Sequence, residues 1–179
     1  MRMLTLGITT AILISAGAPA AAAAGLDESS VQAVLTSQHR HVRAVDKRIM
    51  HAIADGLRRS ATFTGLILAL DRSDVIVYIE TAPGLPASIA GRMLIVAGPS
   101  HQRYLRIQIA GRVGGNELIA LLAHELQHAL EVAESPAVRD EPSLIALYEA
   151  IGHRGSRAHR YDTIAAQDTG RRVRLELIG

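Results

Sequence analysis

The chain has no cysteine and no tryptophan, a single phenylalanine, four tyrosines and one lysine, Lys47, among its 179 residues. Without cysteine there is no disulfide framework, no thiolate ligand for a metal and no lipid-attachment thiol, so stability must come from an apolar core or from a metal held by nitrogen and oxygen donors. Aromatic residues make up only 3% of the chain and the formal net charge is +2, which excludes the stacking platforms and dense positive surface of a nucleic-acid binder. Internal repeats and long low-complexity linkers are also missing. Basic groupings such as Gln38 to Arg43 read as solvated faces.

Residues 1–24 read as an export signal: Arg2 supplies the positive start, Leu4 to Ala16 is apolar and uncharged, and Ala18-Pro19-Ala20 or one of the following alanines offers a small-x-small cleavage pattern. The stretch is too short for a confident membrane span. The expected location is therefore periplasmic or extracellular, with no stable membrane insertion after cleavage, or anchored if the segment is retained. Residues 25–179 are the size of one domain.

Periodicity gives an α+β order. Ser29 to Ser60 is expected as a covering helix, with Val42, Val45, Ile49, Ile53 and Leu57 on one stripe, followed by a shorter helix from Thr62 to Leu70. Val75 to Ile79 reads as a strand buried on both faces. Met93 to Ala97 and Tyr104 to Ile109, separated by Gly98 to Gln102, read as an antiparallel hairpin, and the alternation of the second strand suits a sheet edge open to an extended peptide. The expected sheet is three-stranded and mainly antiparallel. A long helix follows from an N-cap at Asn116 to Glu134, then a helix from Pro142 to Ile151, a polar loop from Gly152 to Arg160 containing His153 and His159, and a last helix from about Tyr161 to Leu177. The glycines of Gly111 to Gly115 lack the ending of a phosphate-binding loop and read as a strand-to-helix turn.

The long helix carries His124-Glu125-Leu126-Gln127-His128. Residues four apart lie one turn above each other, so His124 and His128 can aim one imidazole nitrogen each at a single ion, a geometry zinc accepts. Glu125 lies about 100° round the helix, within reach of a metal-bound water without occupying a coordination position, which is where a general base belongs. Glu131, three residues past His128, is placed to orient its ring.

These five residues resemble the zinc-binding helix of the zincin metallopeptidases, in which the two histidines bind zinc and the glutamate activates water. The resemblance implies a minimal zincin-like domain that hydrolyses peptide bonds in a peptide or protein substrate. Positions three and six beyond His128 hold Glu131 and Glu134, so the metzincin continuation is absent and a third ligand must come from elsewhere. Glu149 matches the gluzincin arrangement of a second helix, but it falls toward the solvent edge of its own helix. Asp162 is favoured, because it aligns with Ala165, Ala166, Thr169 and Val173 on a small-residue face; Glu131 is a further alternative. With Asp162, the site would resemble the aspartate-ligand zincins. Tyr161, beside it, is a candidate for stabilising an oxyanion. Two other readings compete: a non-catalytic zinc-binding or interaction protein, and a metal-free domain whose buried histidines are only hydrogen-bonded. Neither substrate identity nor oligomeric state is written in this sequence.

Overall fold

A computed structural model describes residues 41–96, 98, 101–154 and 161–179. The export-signal reading of residues 1–24, the expected helix before His41 and the loop residue His159 lie outside the described residues.

The chain is α+β. Strand β1 (Val42–Ala44) is followed by helices α1 (Lys47–Arg59) and α2 (Ala61–Asp71), strands β2 (Val75–Ala82), β3 (Gly91–Val96) and β4 (Arg103–Ala110), and helix α3 (Gly115–Ala133). Helix α4 (Glu141–Ile151), a short β5–β6 ladder (His153–Arg154 with Tyr161–Asp162) and helix α5 (Ile164–Glu176) complete it. The main sheet has the order β1-β2-β4-β3. Its first two pairings are parallel, with Val42 opposite Val77 and Val77 opposite Leu105, and β3 runs antiparallel to β4 with Met93 opposite Ile107.

This corrects the expected three-stranded, mainly antiparallel sheet in two ways. The additional strand was concealed in the segment read as one helix. Val42, Arg43 and Ala44 are too few to distinguish a two-residue from a 3.6-residue period, and Asp46 separates them from α1: its backbone is extended and its side chain accepts the Ile49 N–H as an N-cap. Val45, assigned to the apolar stripe, is exposed in consequence, while Ile49, Ile53 and Leu57 are buried as expected. The second correction concerns order and direction: β4 pairs with β2 only after the intervening β3 has reversed the chain, so it runs parallel to β2, and two of the three pairings are parallel. Strand β4, read as an edge, lies between β2 and β3, so the edges are β1 and β3. The hairpin itself is present.

The side chains of Val75, Val77, Ile79, Leu105, Ile107 and Ile109 form the inner face of the sheet and meet Phe63, Leu66, Leu122 and Leu126 from the helices. The opposite face carries half-buried Tyr78 and Tyr104, whose rings stack with centroids 6.5 Å apart, and exposed Arg106, so β2 is not covered on both faces along its length. Helix α3 starts at Gly115 with Gly114 as its cap and no side-chain capping bond. Asn116, expected as the cap, instead accepts from Arg59 and donates to the Leu177 carbonyl. Helix α5 starts at Ile164 rather than Tyr161, because Thr163 caps it and Tyr161–Asp162 pairs with His153–Arg154. No helix among the described residues is long and apolar enough to cross a membrane.

Candidate metal centre

Helix α3 is amphipathic in an unusual sense: most of its circumference is buried apolar surface, and its polar stripe is also largely covered. His128, Glu125 and Glu131 are all buried, and His124 is partly so. Buried polar groups of this kind require partners, and those of His128 and Glu131 can be traced.

His128 Nδ1 lies 2.9 Å from Glu131 Oε2, and the other oxygen of Glu131 accepts the Thr163 hydroxyl at 2.6 Å. A carboxylate on Nδ1 fixes the tautomer with the proton there, leaving the Nε2 lone pair free to bind. The ring edge of Tyr148 packs against His128 with centroids 5.2 Å apart, and its hydroxyl donates to the His128 carbonyl at 3.1 Å. His124 is held from α5. A Cβ placed on Gly170 would sit 3.2 Å from the Ala120 carbonyl oxygen and 3.3 Å from His124 Cβ, so a larger residue there would push the two helices apart by a few tenths of an ångström.

Asp162 enters from β6, immediately before α5. Its Oδ1 lies 3.5 Å from His124 Nε2 and 3.8 Å from His128 Nε2. The Thr163 N–H donates to that oxygen at 2.8 Å and the Gln167 amide to Oδ2 at 2.9 Å, so the carboxylate is oriented by the turn that starts α5. The ligand atoms of His124, His128 and Asp162 all lie within 4.8 Å of one another. Donors at about 2.0–2.2 Å from a tetrahedral zinc ion stand about 3.3–3.6 Å apart, so two imidazole nitrogens and one carboxylate oxygen at these separations fit that ion with small side-chain adjustments.

Burial, reinforced by neighbouring His128, holds the His124 imidazole below its usual pKa despite the pull of Asp162 and Glu131. A neutral imidazole is the form that ligates a metal. For His128, burial is again the largest influence and acts downward, but the Glu131 hydrogen bond and the surrounding carboxylates outweigh it and leave the pKa raised. Burial pushes the Glu125 carboxyl up to about 7, with His128 pulling against it and Asp162 adding to it. Glu125 lies under the start of β3: a Cβ on Gly91 would fall 2.4 Å from Glu125 Oε1, so the absence of a side chain there makes room for the carboxylate.

The structure therefore brings together His124, His128, Asp162 and Glu125, with Glu131 turned onto His128 Nδ1 and not toward the shared centre. Glu149 is on the exposed side of α4 and is not in this group. Asp162 reaches the histidines from a strand and not from the helical face expected for it; Ala165, assigned to that face, is exposed, and the buried stripe of α5 is Ala166, Gly170 and Val173. The side chains of Tyr161 and His153 lie outside the described residues. Sequence reasoning missed Thr163, whose hydroxyl caps α5 through Ala166 and donates to Glu131, and Tyr148. A Thr at a helix start was a readable signal, although what it contacts was not.

No family model, curated protein or solved structure matches the chain.

Proposed function

We propose that the protein is an exported zinc-dependent peptidase of zincin type. The observation that carries this reading is the convergence of two imidazole nitrogens from successive turns of α3 with a carboxylate oxygen from another element, beside the buried carboxyl of Glu125. His124, His128 and Asp162 would hold the ion. A zinc ion held there would supply Lewis acidity for a water and a substrate carbonyl. Glu125 accepts a proton at its carboxylate as the nucleophile forms and returns it to the departing amine, a double role that a buried carboxyl with a raised affinity for protons suits. Glu131 keeps the His128 proton on Nδ1, Thr163 keeps Glu131 in place, and Tyr161 is the candidate for stabilising the developing oxyanion. The antiparallel edge strand β3 runs past Glu125 at Gly91, and its backbone can take up an extended peptide by strand addition.

Untagged protein loaded with zinc and then dialysed should retain about one equivalent and cleave peptide substrates. Glu125→Gln should keep the metal and lose about 10²–10⁴-fold in turnover, the range for removing a general base. Zinc well below one equivalent would remove the metal centre, and undiminished turnover in E125Q would remove the mechanism.

A further inference from the structure

His124 is among the residues lining an open cleft of about 890 Å³ that follows the first half of α3, between Ala90, just before β3, and the facing side of α5. Four charged side chains line it: Arg112, Glu117, Arg171 and Arg174. Two of these cancel, since Arg174 grips Glu117 through two parallel bonds of 2.7 Å. The remaining pair is cationic. Among the described residues Arg112 is held through one nitrogen: its Nη2 donates to the carbonyls of Ala87 and Ile89, each at 2.7 Å, and more distantly to that of Pro86 at 3.5 Å. Neutral carbonyls position a guanidinium without discharging it, and its other edge remains available to a ligand. Arg171 contacts Asp168 at 2.8 Å, in an exposed pair three residues apart that water largely screens and that a ligand can displace.

We propose that this cleft receives one side of the substrate and selects for a carboxylate there, either an acidic side chain or the terminal carboxylate of the peptide. The proposal rests on the peptidase reading for its placement beside the scissile bond. A guanidinium fork pairs bidentately with a planar carboxylate, and two exposed guanidinium groups along an open cleft favour an anion on the approach to His124. The uncharged part of the lining includes Ala90, Val113, Leu121 and Gln167, and the anion a ligand must displace is Asp168 on Arg171.

Binding can be read without turnover, using the zinc-loaded E125Q chain and fluorescence anisotropy of three labelled octapeptides: one with two glutamates and an amidated end, its glutamine counterpart with an amidated end, and that counterpart with a free carboxylate. At least one carboxylate peptide should bind about 3- to 10-fold more tightly than the glutamine amide, as expected for one or two partly exposed ion pairs, and the advantage should shrink with added salt. Which peptide gains identifies the source of the carboxylate. Arg171→Gln should remove part of the advantage and Arg112→Gln with Arg171→Gln all of it, while Arg106→Gln on the open sheet face should leave it unchanged. Because Arg112 also holds the 86–89 turn, the single R171Q variant keeps the test valid if the double variant is unstable. Equal affinity for all three peptides, or an advantage that survives R171Q undiminished, would overturn the proposal. Selective binding by a protein that cuts nothing would remove the peptidase reading alone; cleavage without charge preference would remove this one alone.

Discussion

Two buried polar clusters lie along α3 and differ in how their hydrogen-bonding capacity is used. At the C-terminal end, Arg103 is only 4% exposed and directs its donors at Asp74 and at the carbonyls of Val132, Ala133, Ser135 and Val138. It neutralises a carboxylate, satisfies the last carbonyls of the helix and fixes where the chain leaves it. Donors and acceptors match. Between one and a half and two and a half turns earlier, His124 Nε2, His128 Nε2 and Asp162 Oδ1 face one another; with the His128 proton drawn to Nδ1 by Glu131, a neutral pair of imidazoles can turn lone pairs toward the carboxylate oxygen. Acceptors gathered around a point suit a cation. Burial and polarity are common to both clusters, so neither property identifies a functional site; the balance of donors and acceptors does.

That contrast can be broken experimentally. Arg103→Met should cost on the order of 3 kcal/mol in urea unfolding, because several buried carbonyls lose their donor, while zinc stoichiometry of the folded fraction stays near one equivalent. A loss of metal without loss of stability would show that the Arg103 cluster serves the site. Gly91→Ala should act in the opposite sense: the new methyl meets the Glu125 carboxylate and displaces it, so peptide hydrolysis should fall on the order of 10²-fold while metal content is unchanged. Kinetics and metal analysis on the same preparation decide this. Glu131→Gln preserves shape but weakens the hold on His128 Nδ1, and competition with a chromogenic chelator should show zinc affinity reduced about 10- to 100-fold.

The smallest effect expected is one of pH. The hydrogen bond from Arg103 holds the Asp74 carboxyl below its ordinary value, against the upward push of burial. A carboxyl depressed in the folded state adds stability above its unfolded value of about 3.9, and that contribution vanishes as pH falls through the folded value. Thermal melts between pH 7 and pH 3 should show an acid-side loss below about pH 4 that Asp74→Asn lacks, amounting to about 1 kcal/mol or less because Asp74 is partly exposed. Identical profiles for the two proteins would remove Asp74 from the account of acid stability.

Much of the architecture was readable because it depends on neighbours in the chain. The period of Ile49, Ile53 and Leu57, the Pro142 start of α4 and the alternation of Leu105, Ile107 and Ile109 are local patterns that burial then satisfies. Strand β1 was not readable, since three residues carry no period and their pairing partner lies more than thirty positions away. The start of α5 was misplaced for a related reason: two residues of β6 acquire their conformation from His153–Arg154, across a loop.

The amino-acid sequence alone determined that two histidines share one helical face with a glutamate between them, because the turn of an α-helix is fixed by backbone geometry wherever that helix lies. Tertiary structure decided what meets that face. Asp162 rather than Glu149 comes within 4 Å of both imidazoles, Glu131 is turned onto His128, and Gly91 and Gly170 allow a strand and a helix to close on the site. Apart from the Glu131–His128 bond, which one helical turn already allows, those contacts join residues far apart in the chain, and only packing the sheet and helices on one core sets their distances.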